Sequence, residues 1–130
     1  MRVMWGLGLA MMAGAAMAQE VPVEVKVLKG QQVTIHVQPF LTEDELVMLR
    51  LVQTNKQALA LFVPNSGGFA AMAVAPDEGL VRDGGFPPSV IAIGDLPDAA
   101  AAQAAALAGC EDKRTGGAAC VIVLEVGPKG

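Results

Sequence analysis

The sequence predicts an α+β domain: an N-terminal β-hairpin, a capped helix, a central and mainly antiparallel sheet, and a C-terminal β-α-β unit carrying one disulfide. Three observations predict it. Val23, Val25 and Val27, then Val33, Ile35 and Val37, alternate with polar residues at the period of half-buried strands. Thr42 stands three residues before Glu45 at the head of an apolar-periodic segment, the spacing of a capping box. An alanine-rich run from Asp98 to Ala108 leads to Cys110, and Cys120 opens the apolar stretch Cys120 to Val126.

Residues 1–18 read as a cleaved signal peptide, and residues 19–130 as the domain. Arg2 supplies the positive head, Trp5 to Ala15 the apolar middle, and Ala16-Met17-Ala18 the small-residue cleavage site. The apolar stretch from Val3 to Ala18 is about 16 residues, short of the roughly 20 that span a bilayer. No membrane anchor is therefore expected once it is removed. Export implies the periplasm or the medium, where two cysteines most simply make one bridge, Cys110 to Cys120. Closing so short a loop is worth about 2 to 3 kcal/mol.

Composition narrows function. Loss of Arg2 takes the formal net charge from −4 to −5, and the only tryptophan, Trp5, leaves with it; tyrosine is absent. An acidic chain without these rings lacks the basic face and stacking platforms that nucleic acids need. Carbohydrate recognition usually wants the same flat rings. One histidine and no third soft ligand near the cysteines leave no expected metal site, and no cofactor motif is present.

In chain order, Val21 to Gln38 reads as a hairpin turning at Lys29-Gly30-Gln31, with His36 solvated on its polar face and Pro39 ending the second strand. Thr42 then starts a helix. Glu43, Asp44 and Glu45 resemble a metal or catalytic cluster, but their place in the first turn makes them capping and dipole residues. Leu41 and Leu46 suit a hydrophobic staple, and the helix continues to about Thr54. Ala58 to Val63 and Phe69 to Ala75 are short apolar runs joined by Pro64-Asn65-Ser66-Gly67-Gly68. They are expected to form a fully buried antiparallel hairpin; the competing reading continues the helix from Thr42 to Val63.

Asp77 to Pro88 is the longest irregular stretch, punctuated by Gly79, Gly84, Gly85, Pro87 and Pro88. Its acids do not have the spacing of a calcium loop. Loops of this kind tend to carry binding function, so Arg82, Asp83 and Phe86 are the expected partner contacts. Ser89 to Gly94 reads as a buried strand. Asp98 caps the alanine-rich helix, Gly109 is placed to end it, and Val121 to Val126 is the last strand.

The C-terminal half resembles a family of small exported bacterial domains of unknown function. The likeness rests on Phe69 to Gly79 (FAAMAVAPDEG), Pro97 to Cys110 (PDAAAAQAAALAGC) and Cys120 to Val126 (CVIVLEV). It covers about half of the mature chain. The segment between Gly79 and Pro97 is longer than the family's usual hairpin, and a further cysteine that often follows the last strand is missing. The family has no assigned chemistry, so the resemblance implies fold and compartment. The whole chain is also similar to exported proteobacterial proteins sometimes labelled aminolevulinate synthase. That label is not adopted, because a pyridoxal-phosphate enzyme needs a larger fold and a Schiff-base lysine in a deep phosphate site.

The inventory for catalysis is thin. Ser66 and Ser89 are the only serines, His36 the only histidine, and both cysteines are assigned to the bridge. Asp95 and Asp98 flank Leu96-Pro97 as loop and cap residues rather than as a glycosidase pair. The expected function is an exported, non-catalytic interaction or accessory protein with a periplasmic or extracellular protein partner. The alternative is a small periplasmic hydrolase, or an enzyme inhibitor acting through residues 77–88.

Overall fold

The computed structural model describes residues 21–63 and 68–128. Residues 1–18, read as a signal peptide, and most of the turn expected at Pro64–Gly68 lie outside the described residues. Five strands make one antiparallel-paired sheet in the order β1-β2-β5-β3-β4. They are β1 (Val23–Leu28), β2 (Gln31–His36), β3 (Phe69–Val74), β4 (Ile91–Leu96) and β5 (Val121–Pro128). Helices α1 (Glu43–Thr54) and α2 (Lys56–Phe62) precede β3, and α3 (Ala99–Lys113) joins β4 to β5. The α+β class is as expected. Its β-α-β unit is split: β4 and β5 are both antiparallel to β3, which lies between them.

The hairpin forms because Lys29 and Gly30 take φ of 54° and 75°, the left-handed pair that a two-residue turn requires. Gln31 is therefore the first residue of β2 rather than part of the turn. Val33 and Ile35 are fully buried, and with Leu49, Leu59, Val74, Leu80, Val123, Leu124 and Val126 they build the larger core. The second core is made of small residues: Ala71, Ala73 and Ala75 meet Ala102, Ala106 and Cys110 of α3.

Helix α1 has the complete capping box, with Thr42 Oγ1 accepting from Glu45 N at 3.1 Å and Glu45 Oε1 accepting from Thr42 N at 2.9 Å. Residues 58–63 correct the expected hairpin, because Ala58 to Phe62 belong to α2. Asn55 ends α1 with an extended backbone and its side chain accepts from Gln57 N and Ala58 N, so one residue closes one helix and starts the next. A short apolar run carries no period by which strand and helix can be told apart. Nor is that run buried on both faces: Leu61 is 86% exposed.

Two further expectations change. Strand β4 begins at Ile91 and is a half-buried edge rather than a buried strand. Helix α3 runs through Gly109 and Cys110 to Lys113. Gly109 is not its stop. A Cβ there would sit 3.1 Å from Ile91 Cγ2, so the glycine lets the helix lie close on β4. The Cys110–Cys120 disulfide is formed, with Cα atoms 6.2 Å apart, and ties the last turn of α3 to the start of β5.

Candidate functional site

The segment from Asp77 to Pro88 connects β3 to β4 and is ordered by carboxylates outside and inside it. Glu45 is central. Its Oε1 completes the cap of α1, and its Oε2 accepts from Leu80 N at 3.0 Å, Val81 N at 2.9 Å and Arg82 Nη1 at 3.3 Å. Its side chain is almost fully buried. Burial is the largest single influence on its ionisation and opposes it. The N–H groups of Thr42, Val81 and Leu80, with the Arg82 charge, outweigh burial and hold the carboxyl below the ordinary range. The cap residue read from sequence is therefore also the anchor of the loop.

The start of the loop is tied to the disulfide-closed segment. Glu78 Oε1 accepts from Ser89 Oγ at 2.6 Å, and Oε2 accepts from Thr115 N at 2.8 Å and Thr115 Oγ1 at 3.0 Å. Those bonds, led by Ser89, lower its pKa. Asp77 Oδ2 accepts from Ala118 N at 2.9 Å. Within the disulfide segment, Glu111 Oε2 accepts from Cys120 N at 2.8 Å, and Glu111 also pairs with Arg114. Loop and disulfide thus form one polar assembly at one end of the sheet.

Between these anchors the chain makes its own small hairpin. Arg82 N donates to Gly85 O at 2.7 Å and Gly85 N to Arg82 O at 3.0 Å, across Asp83 and Gly84 at φ 55° and 80°. Positive φ at both central positions, with the Asp-Gly pair, is the type I′ arrangement. The Arg82 guanidinium lies against Gly79, where a Cβ would come within 2.2 Å of it. Asp77, Arg82, Asp83 and Phe86 line an open groove of about 510 Å³ with Pro87 and Pro88. Phe86 is 59% exposed.

The three expected contact residues are therefore brought together, in unequal roles. Arg82 is partly spent on Glu45 and Val81 O, Asp83 is held at the turn tip, and Phe86 is the exposed apolar element. Glu45 escaped sequence reasoning as an anchor because nothing in its spacing links it to the segment, and Glu78, inside the segment, reads from sequence only as a candidate calcium ligand. The capping box did mark Glu45 as an ordered carboxylate.

His36 is not simply solvated. Its Nε2 lies 2.6 Å from Glu125 Oε2, and Gln103 Nε2 donates to Glu125 Oε1 at 2.6 Å. The His36 bond first, then the Gln103 bond, lower the Glu125 pKa against the cost of burial. Glu125 also borders a cavity of about 270 Å³ with Gln32, Thr34 and Phe69. Among the described residues no hydroxyl or thiol hydrogen-bonds to His36. Ser89 is buried and donates to Glu78, and Ser66 lies outside the described residues.

No described helix is long and apolar enough to cross a membrane. Comparison with protein-family models, curated proteins and solved structures finds no match to this chain.

Proposed function

We propose that this is an exported, non-catalytic interaction protein, periplasmic or secreted, which engages a protein partner through residues 77–88. One observation carries the reading: an exposed phenylalanine sits beside a type I′ turn whose backbone is already fixed by Glu45, Glu78 and its own cross-turn bonds. A loop ordered before binding loses little conformational entropy on association, and an aromatic anchor beside fixed polar groups is the usual energetic centre of a protein interface. The disulfide suits an oxidising compartment. Inhibition of an enzyme by insertion of this loop is one form of the same reading.

The test is a photo-crosslinking side chain at position 83, installed in protein exported by living cells. A discrete adduct is expected from position 83 and none from Lys56, exposed on α2. Phe86→Ala should remove the adduct while His36→Gln leaves it intact. No adduct from the loop, together with an activity lost in folded His36→Gln, would replace binding with catalysis.

A further inference from the structure

We propose that the chain forms a two-fold dimer by antiparallel pairing of β1 with β1 of a second copy, making one ten-stranded sheet from the two five-stranded ones. The register follows from the backbone. Val37 N donates to Pro22 O, and Gln53 Nε2 reaches both Glu24 O and Val33 O between the strands. Hydrogen-bonded pairs alternate along an antiparallel ladder, so Glu24, Lys26 and Leu28 direct their backbone groups to β2. Those of Val23, Val25 and Val27 point to the open edge, where nothing among the described residues bonds to them. The side chains of these valines are 52%, 49% and 51% exposed.

The other edge is different. β4 is interrupted by Asp95 at φ 62°, and its pairing with β3 shifts register between Phe69 and Ala71. Irregularity of this kind protects an edge from further pairing. β1 has none between Val23 and Leu28.

A second copy fits β1 because the strand VEVKVL is complementary to itself. With the two-fold axis at Val25, Val25 faces Val25 and Val23 faces Val27, using the outward N–H and C=O groups. The same register sets Glu24, which already accepts two hydrogen bonds from Arg50 of its own chain, opposite Lys26 twice, a favourable cross-strand pair. Shifting by two residues loses that charge match. The contact is one strand wide, smaller than the roughly 800 Å² per partner of standard interfaces, so dissociation on dilution is expected.

Sedimentation velocity of the purified protein up to about 1 mM should show a reversible monomer–dimer equilibrium. Val25→Pro removes only an outward N–H, a change that edge strands accept. It should leave thermal unfolding nearly unchanged and abolish the dimer. Lys26→Glu and Glu24→Lys alone should each weaken association about tenfold, through two like-charge pairs. An equal mixture of those two variants restores both charge pairs and should regain the wild-type dimer fraction. That mixture decides the matter even where Val25→Pro fails to fold. A monomer at every concentration, including one that binds a foreign extended peptide along β1, would overturn the proposal. So would a dimer indifferent to the charge variants.

Discussion

The loop at 77–88 and strand β1 are both apolar at the surface, but their backbones are in opposite states. Phe86 projects from a segment whose amides at Leu80, Val81, Arg82 and Gly85 all have acceptors. The valines of β1 project from a strand whose outward backbone groups have none among the described residues. A satisfied backbone leaves side-chain shape as the only thing to recognise. An unsatisfied one invites another strand, because each buried pairing adds backbone bonds that water would otherwise make. The same degree of exposure therefore points to two kinds of partner.

The contrast breaks most severely at Glu45. Glu45→Ala leaves the Leu80 and Val81 amides without their acceptor and removes half of the capping box. A loss of about 3 kcal/mol in denaturant unfolding is expected, with faster proteolytic cleavage near Arg82. Protein lacking the disulfide, Cys110→Ala with Cys120→Ala, should lose about 2 to 3 kcal/mol. The same change should loosen the Glu78–Thr115 and Asp77–Ala118 ties while the β1–β2 hairpin is untouched. Thr42→Ala should cost about 1 kcal/mol, read as a shift in unfolding midpoint. Phe86→Ala should cost less than about 0.5 kcal/mol, since its exposed ring supports binding rather than folding.

Acid should act on the loop end and on the hairpin alike, since Glu24 of β1, hydrogen-bonded to Arg50, also has a lowered pKa. Glu45, Glu78 and Glu111 have folded pKa values below the ordinary carboxylate range, as does Glu125 beside His36. As pH falls below about 4.5 the unfolded chain takes up protons that the folded one resists. The stability these groups contribute is complete above that pH and is lost as pH drops through their folded values. Amide signals from 77–88 and from β1–β2 should weaken over the same acid range.

Much of the hairpin, both major helix caps and the cysteine pairing were legible in the sequence because each depends on residues close along the chain. Thr42 and Glu45 are three positions apart, and Asp98 caps α3 by accepting from Ala101 N. What was not legible depends on tertiary neighbours. Gly109 looks like a helix stop until Ile91 is known to lie against it. Ala58 to Phe62 has no periodicity to mark it as helix, and Asn55 gains its double capping role only when both helices exist. The position of the loop was clear from glycine and proline, but its order was not. That order comes from Glu45 and Glu78, the latter bonding to Thr115 across 37 positions. Likewise the valines of β1 read as half-buried until α3 is seen to pack chiefly on β3, β4 and β5.

Residue-resolved amide hydrogen exchange, run on dilute and on concentrated protein, tests the contrast directly. The amides of Leu80, Val81 and Gly85 should be protected at both concentrations. Those of Val23, Val25 and Val27 should exchange rapidly when dilute and gain protection when concentrated, while Glu24 and Lys26 stay protected throughout. Loop amides exchanging as fast as Val25 in dilute protein would contradict a pre-ordered recognition loop beside an open strand edge.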